Sequence, residues 1–225
     1  MPPRLAPFET PRNPLQRLMY WVTRRRYGAV LSPVRVLYAR KLRLAFLGQH
    51  IATTLESGLS LDDELTLLAA TLVARNNDCA FCQDLNLARS IQERMGAERF
   101  AALGEASTSP LFTARERAAL AFCAEAAREH TVCDATFEAA REHFGETELV
   151  ELAWIAAAET YFNIQSGVFR LGADGLAARA THPARLGVPA EGPRRGDPNE
   201  EAPPSRTRRG LRTPLAKASG GTVGT

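Results

Sequence analysis

Two cysteines separated by two residues, Cys79 and Cys82, are the side chains of this sequence best placed for chemistry. The stretch 77–86 reads Asn-Asp-Cys-Ala-Phe-Cys-Gln-Asp-Leu-Asn, and the pattern indicates that the pair lies at a helix N-terminus. Two thiols at this spacing can close into a disulfide with little chain movement, and the positive end of the helix dipole favours a thiolate. The pattern therefore favours dithiol redox chemistry. The competing interpretation is that both cysteines are ordinary small apolar residues.

A structural zinc site is a further interpretation of the same pair. Structural zinc sites normally show a second close pair of ligands, and this sequence does not offer one. We therefore predict no metal and no cofactor. The two remaining ligands of a zinc site would have to come from Cys123, Cys133, His130 and His143.

Helix start signals divide the first third of the chain. Asn13 followed by a proline predicts an N-cap, and the helix that it starts is expected to end near Gly28. Ser32-Pro33 repeats the start signal for a longer helix to about Gly58. His50 lies on that helix, and the sequence indicates no catalytic or metal-binding partner for it.

The next helices lead into and away from the cysteines. The stretch 60–63, Ser-Leu-Asp-Asp, opens a helix with apolar residues at helical spacing. Asp78 is expected to cap a helix that begins with Cys79 and runs to Gly96. Later start signals predict helices from Thr113 and Asp134, and a long helix spans 146 to about 171. No strand alternation is present, so we predict an all-α protein.

Composition and charge describe a globular chain with distinct ends. The 225 residues carry a net charge of +3, but residues 1–43 and 179–225 are basic and the region between them is acidic. We predict an extended arm over 1–12, one helical domain over 13–178 and a disordered basic Pro/Gly-rich tail over 179–225. There is no signal-peptide pattern and no long apolar run, which predicts a cytoplasmic protein without a membrane span. The basic ends fit packing on the acidic core or attraction to a nucleic acid or a membrane, and we predict packing, with neither partner.

The cysteine motif and its surroundings resemble a known superfamily. The stretch 60–65, Ser-Leu-Asp-Asp-Glu-Leu, precedes the motif, and the rhythm of 110–122, 136–144 and 148–163 follows it. Together these segments resemble the carboxymuconolactone decarboxylase-like superfamily, and its alkylhydroperoxidase D branch most of all. The resemblance covers roughly residues 14–177 and implies a single all-α domain of that type.

The resemblance also implies roles for the two cysteines. In that branch a glutamate stands twelve residues before the first cysteine and a histidine stands four residues after the second. By resemblance, Cys82 attacks the peroxide and Cys79 resolves the resulting sulfenic acid into a disulfide. This chain departs from the branch, because Leu67 and Asn86 occupy the glutamate and histidine positions.

Three further residues are supporting candidates. Asn86 shares a helix face with Cys82 and can donate a hydrogen bond to a thiolate, but it cannot take a proton. Asp78 opposes the helix dipole beside the thiols. Glu64 is the nearest acid to the position of the missing glutamate, one helical turn earlier, and the family role does not transfer to it. Helix-end electrostatics favour Cys79 as the reactive thiol, whereas the resemblance favours Cys82.

The predicted function is a thiol-dependent antioxidant enzyme of the peroxiredoxin type. It would reduce a hydroperoxide through a Cys79–Cys82 dithiol cycle, with an unknown dithiol as the reductant. The alternative is a redox-inactive relative that serves as a helical oligomeric or small-molecule-binding domain. The resemblance implies a homo-oligomer, a trimer or a hexamer.

Overall fold

The structure is a computed structural model that describes residues 2–181. These residues form helices and no strand, which confirms the predicted all-α class. The predicted tail, 179–225, lies outside the described residues from position 182 onward, and the domain boundaries stay predictions. The helices are α1 Pro14–Tyr27, a π-helical segment Val34–Tyr38, α2 Leu42–Ser57, α3 Asp63–Asn76, α4 Ala80–Gln92, α5 Ala97–Ala101, a 3-10 turn Ala102–Glu105, α6 Ala114–Glu129, α7 Asp134–Arg141, α8 Glu146–Phe169 and α9 Leu176–Ala180.

Helix α3 is the centre of the fold and packs against α4, α6 and α8. Every residue from Leu65 to Ala74 is buried, because neighbouring helices cover α3 on all sides. Its first turn is capped by Asp62, whose carboxylate accepts a hydrogen bond from the backbone N–H of Leu65 at 2.7 Å. The buried position of α3 fixes where the following loop, and therefore the cysteine pair, must lie.

The prediction of one long second helix is wrong in one respect, because the structure has two helical segments there. The chain turns as a π-helical segment over Val34–Tyr38 and starts again as α2 at Leu42. Lys41 between them has a non-helical backbone (φ −141°, ψ 85°), and its side chain makes no capping hydrogen bond. Apolar periodicity alone gave no sign of this break. The predicted first helix is confirmed, with Asn13 as N-cap and Gly28 as a left-handed C-cap.

The start of α4 also differs from the prediction. Asp78 does not cap the helix, because its own backbone is left-handed (φ 50°). The N-cap is Cys79, whose sulfur accepts a hydrogen bond from the N–H of Cys82 at 3.3 Å. The helix ends at Gln92 rather than near Gly96. These differences place the sulfur of Cys79, and not the carboxylate of Asp78, against the first helical N–H groups.

The predicted capping box at Thr113 is confirmed. Its hydroxyl accepts from the N–H of Glu116, and the Glu116 carboxylate accepts from the N–H of Thr113 at 2.8 Å. The following α6, α7 and α8 begin at or next to the predicted positions, and α8 ends at Phe169. No helix within residues 2–181 is long and apolar enough to cross a membrane.

The N-terminal arm packs along the domain. The backbone N–H of Arg4 donates to the carbonyl of Phe169 at 3.0 Å, and that of Phe8 donates to the carbonyl of Arg35 at 3.0 Å. The Phe8 ring lies between the guanidinium groups of Arg12 and Arg40, 4.0 Å and 4.3 Å from its centroid. The basic N-terminal region is therefore tied to its own domain through aromatic contacts.

The short helix α9 was not predicted, and it packs against α4 beside the cysteines. Asp84 on α4 accepts hydrogen bonds from the backbone N–H groups of Leu176 (2.9 Å) and Ala177 (3.0 Å). Leu176 is buried in the same apolar cluster as the cysteine pair. A carboxylate that serves two N-terminal N–H groups thus secures the segment that covers α4.

We expect Asp84→Ala to lower the free energy of unfolding by about 1 kcal/mol, because two N–H groups lose their acceptor. Asp84→Asn keeps one acceptor oxygen and should lose less. Urea unfolding of the three proteins checks the order. Equal stability of Asp84→Ala and the wild type would show that α9 contributes nothing.

Candidate active site

The two cysteines form a disulfide at the start of α4. Their Cα atoms are 5.3 Å apart, within the usual range for a bridged pair. Both side chains are buried, in a cluster with Phe81, Leu171 and Leu176. The fold therefore brings the sequence motif into the geometry that dithiol chemistry requires. The Sγ of Cys82 also lies 3.9 Å from the hydroxyl of Ser166 on α8.

A pocket of about 410 Å³ opens beside Cys82. Helices α1 and α2 form its outer wall, and α3, α4 and α8 form its floor. Cys82 lines this pocket, whereas Cys79 is not among the lining residues. We call this space the Cys82 pocket. The geometry gives the two sulfurs different environments, one facing the pocket and one turned towards the helix N-terminus.

The walls of the Cys82 pocket are apolar, and its floor carries a few polar groups. Leu18 and Phe46 are among the wall residues, and Phe81 adds apolar surface on the floor. On the floor, the hydroxyl of Thr66 and the Nδ2 of Asn86 are buried without a hydrogen-bond partner. Buried polar atoms are normally paired, so two unpaired ones at one pocket floor are suited to hold a polar group of a bound molecule.

Glu159 is a buried acid on the same floor, contributed by α8. Its side chain is only 4% exposed. Burial raises its pKa to about 7, while Asn163, Asn86 and the charge of Arg89 act in the opposite direction. Asn86 is near enough to lower this pKa, although its amide makes no hydrogen bond of ordinary geometry. Glu159 can therefore exchange a proton near neutral pH.

Glu159 is positioned by a short chain of amides. The Nδ2 of Asn163 donates to its Oε1 at 2.8 Å. In turn, the Oδ1 of Asn163 accepts from the Nδ2 of Asn77 at 3.0 Å. Asn77 caps α3 at the loop that leads into the cysteine motif. The orientation of the buried acid is thus connected to the loop that positions the cysteines.

The residues predicted from the sequence are only partly brought together. Asn86 and Leu67 both line the Cys82 pocket with Cys82 itself. Glu64 does not line it, and pairs instead with Arg99 at 2.6 Å. Asp78 is exposed in the loop before α4. Where the family has a glutamate, the floor of this pocket therefore has the apolar side chain of Leu67, and Glu64 does not take the place of that glutamate.

The zinc interpretation finds no support in the part of the chain that the structure describes. Within residues 2–181 no group of three or more His, Cys, Asp or Glu side chains could hold a metal ion. Cys123 is fully buried, its thiol donates to the carbonyl of Leu152, and burial raises its pKa to about 12. The thiol of Cys123 is therefore inert at neutral pH, whereas Cys133 is exposed.

Sequence reasoning missed Glu159, although a signal existed. It is the only charged residue between Leu152 and Phe162, in a stretch that is otherwise mostly apolar. A lone acid inside the apolar run of a long helix is unusual, because an unpaired charge is costly to bury.

Comparison with known proteins places the chain in a family. No family model matches it. Uncharacterized protein YnjA of Escherichia coli strain K12 is 33% identical over 135 residues, which are 59% of this chain and 73% of YnjA. The chain belongs to the YnjA family.

Solved structures confirm the alkylhydroperoxidase D-like fold of this YnjA relative. One is the alkylhydroperoxidase AhpD core of a peroxidase-related protein from Ralstonia eutropha JMP134 (TM-score 0.63, 19% identity), covering 76% of this chain and 96% of that one. Another is the debrominase Bmp8 (TM-score 0.68, 15% identity), covering 81% of this chain and 97% of that one. Proteins of this fold therefore include a dehalogenating enzyme, so the fold alone does not assign a reaction.

Proposed function

We propose that this protein is a thiol-dependent oxidoreductase that reduces hydroperoxides through a Cys79–Cys82 dithiol cycle. The observation that carries the proposal is that Cys82, one half of the disulfide, faces a large pocket that has apolar walls and unpaired polar atoms on its floor. Cys79 lies behind it, within bonding distance. This arrangement supports Cys82 as the attacking thiol and Cys79 as the resolving thiol.

The reaction has two steps. The sulfur of Cys82 attacks the terminal peroxide oxygen, so that an S–O bond forms, the O–O bond breaks and an alcohol leaves. The thiol of Cys79 then attacks the sulfur of the resulting sulfenic acid, which closes the disulfide and releases water. Two thiols are oxidised and one peroxide is reduced. An external dithiol returns the disulfide to two thiols by exchange.

The shape of the Cys82 pocket supports organic hydroperoxides rather than hydrogen peroxide as substrates. Leu18, Phe46 and Phe81 present apolar surface that an alkyl or aryl group can bury. Each buried methylene group contributes about 0.8 kcal/mol to binding. The peroxide oxygens would then lie near Asn86 and Thr66, beside the sulfur of Cys82.

To test this proposal, the rates at which the purified protein consumes cumene hydroperoxide and hydrogen peroxide are measured with excess dithiothreitol. We expect turnover with both substrates and a kcat/KM at least about tenfold higher for cumene hydroperoxide, because its ring is buried in the pocket. Disulfide formation is followed in parallel by mass spectrometry. Equal kcat/KM values would show that the pocket does not bind the organic group of the substrate.

The redox-inactive alternative predicts a different outcome. No turnover with either peroxide, and cysteines that stay reduced after peroxide treatment, would leave the pocket as a binding site only. The likeness to the debrominase makes a halogenated aromatic compound the appropriate additional substrate in that assay, since it would fit the same apolar walls. Halide release without peroxide consumption would assign the dithiol pair to dehalogenation.

A homo-oligomer remains part of the proposal. Helices α1 and α2 expose large apolar side chains, and 60% of Trp21 and 60% of Phe46 are accessible. Apolar surface of this kind is often covered by a second copy of the chain. Light scattering during size-exclusion chromatography measures the mass, and a monomer would contradict the expectation of a trimer or a hexamer.

A further inference from the structure

We infer that Glu159 accepts the proton of the Cys82 thiol and returns it to the leaving alkoxide. It would replace the glutamate and histidine of the family, whose positions are occupied here by Leu67 and Asn86. The inference rests on the proposed function for the chemical step. It assigns this role to a residue on α8, far along the chain from the cysteine motif. Two facing stripes of polar residues connect Glu159 with Cys82.

The first stripe lies on α4 and the second on α8. Cys82, Asn86 and Arg89 follow at intervals of four and three residues, which places them on one face of α4. Glu159, Asn163 and Ser166 follow at the same intervals on α8.

The two stripes meet across the interior of the domain. Cys82 and Ser166 come together at 3.9 Å, and Asn86 lies close to Glu159. Both Cys82 and Glu159 also line the Cys82 pocket. The polar residues of the two stripes therefore form a continuous path, which we call the polar track, from the sulfur of Cys82 to the carboxyl group of Glu159.

The length of this track determines how a proton crosses it. Glu159 and Ser166 are seven residues apart, which is about 10 Å along a helix. Asn86, between the two ends, can donate and accept hydrogen bonds but cannot itself carry a proton. A chain of pocket waters, with one of them or the peroxide oxygens held at the unpaired Nδ2 of Asn86, would therefore carry the proton between the sulfur and the carboxyl group.

Such a residue is needed because Cys82 otherwise lacks a base. A thiol of ordinary pKa is only a few per cent ionised at neutral pH, and the leaving alkoxide requires a proton. The carboxylate of Glu159 accepts the proton of the Cys82 thiol, and the thiolate attacks the peroxide. The resulting carboxylic acid then gives that proton to the alkoxide. The acid ends the step as it began, and the proton is accounted for.

Other charged and titratable groups around the pocket could also affect the proton transfer. Arg89 faces Glu159 from α4, while Tyr38 lines the pocket from the π-helical segment and Tyr27 lines it from α1. Arg26 on α1 and Glu56 on α2 line its outer part and pair with each other at 2.7 Å. The lining residues of α3 are uncharged. Glu159 is thus the acid on the pocket floor, and Glu56 is already engaged by Arg26.

The test is the pH dependence of disulfide formation in a single turnover. The reduced full-length chain is mixed with cumene hydroperoxide between pH 5 and pH 10, and the Cys79–Cys82 disulfide is quantified over time. For the wild type we expect a bell-shaped rate profile, which rises as Glu159 ionises and falls as the thiol ionises. Glu159→Gln should slow the reaction about 100-fold at pH 7. Its remaining rate should rise steadily with pH, following the thiolate alone.

The matched control is Glu64→Gln, which removes an acid of the same type that pairs with Arg99 outside the pocket. It should keep the bell-shaped profile and the wild-type rate. A bell-shaped profile in Glu159→Gln, or a wild-type profile that rises steadily, would overturn the inference while leaving the peroxidase proposal intact. The wild-type profile decides the matter even when Glu159→Gln does not fold. No disulfide formation in the wild type would overturn the peroxidase proposal itself, and the inference with it.

Discussion

Replacing Cys82 with serine is expected to abolish hydroperoxide turnover, whereas replacing Cys79 with serine should leave one reduction per chain. A serine hydroxyl is not ionised at neutral pH, so Cys82→Ser removes the nucleophile that faces the pocket. Cys79→Ser keeps that nucleophile but removes the thiol that closes the disulfide. The first step then stops at a sulfenic acid on Cys82.

The measurement combines peroxide stoichiometry with trapping of the sulfenic acid. Dimedone should label Cys82 in Cys79→Ser and should label neither position in Cys82→Ser. Cys133→Ser is the matched control, because Cys133 is exposed and distant in sequence from the disulfide pair. One peroxide reduced by Cys82→Ser, with dimedone on Cys79, would reverse the two roles. That result would agree with the helix-end argument for Cys79 instead of the resemblance.

Local sequence signals were sufficient for most of the framework. Asn13 and Thr113 cap their helices as predicted, because capping depends on residues three positions away in the chain. The disulfide between Cys79 and Cys82 is likewise a contact over a short separation. The all-α class and the alkylhydroperoxidase D-like fold followed from such signals together with the resemblance.

The differences arose where distant parts of the chain decide the local structure. The break at Lys41 lies in a stretch of good helical periodicity, where apolar spacing says nothing about a change of direction. Asp78 looked like a cap by residue type, but the chain takes a left-handed turn there and Cys79 becomes the cap. Helix α9 depends on Asp84, more than ninety residues earlier, and no local signal announces that contact.

The candidate site also contains residues that local sequence signals predict and residues that only the fold brings together. Cys82 and Asn86 were recognised because they belong to one local motif. Glu159 reaches the pocket only because α8 packs across α4, which is a property of the fold and not of the spacing of residues. The acid nearest to Leu67 in the sequence is Glu64, and it pairs with Arg99. A proton-exchanging residue can thus come from another helix once its usual position is apolar.

The burial of Glu159 should also make the stability of the protein depend on pH. Burial raises its pKa from the ordinary 4.5 to about 7, so the folded state keeps a proton that the unfolded chain releases in this range. This group should therefore add most to the free energy of unfolding below pH 4.5, and its contribution should fall as the pH rises towards 7. At 1.36 kcal/mol per pKa unit, the loss is about 3 kcal/mol.

Glu159→Gln removes this titration and replaces the carboxyl group with an uncharged amide of the same size. Compared with the wild type, the variant should gain relative stability between pH 4.5 and pH 7, by about 3 kcal/mol in total, and the difference should stay constant above pH 7. Urea unfolding of the oxidised proteins at pH 5, 6, 7 and 8 measures this difference at one protein concentration. The same series on Glu64→Gln separates the loss of a buried carboxyl group from the loss of one that is partly exposed. A difference that does not change with pH would mean that Glu159 is ionised in the folded protein throughout this range and that burial does not raise its pKa.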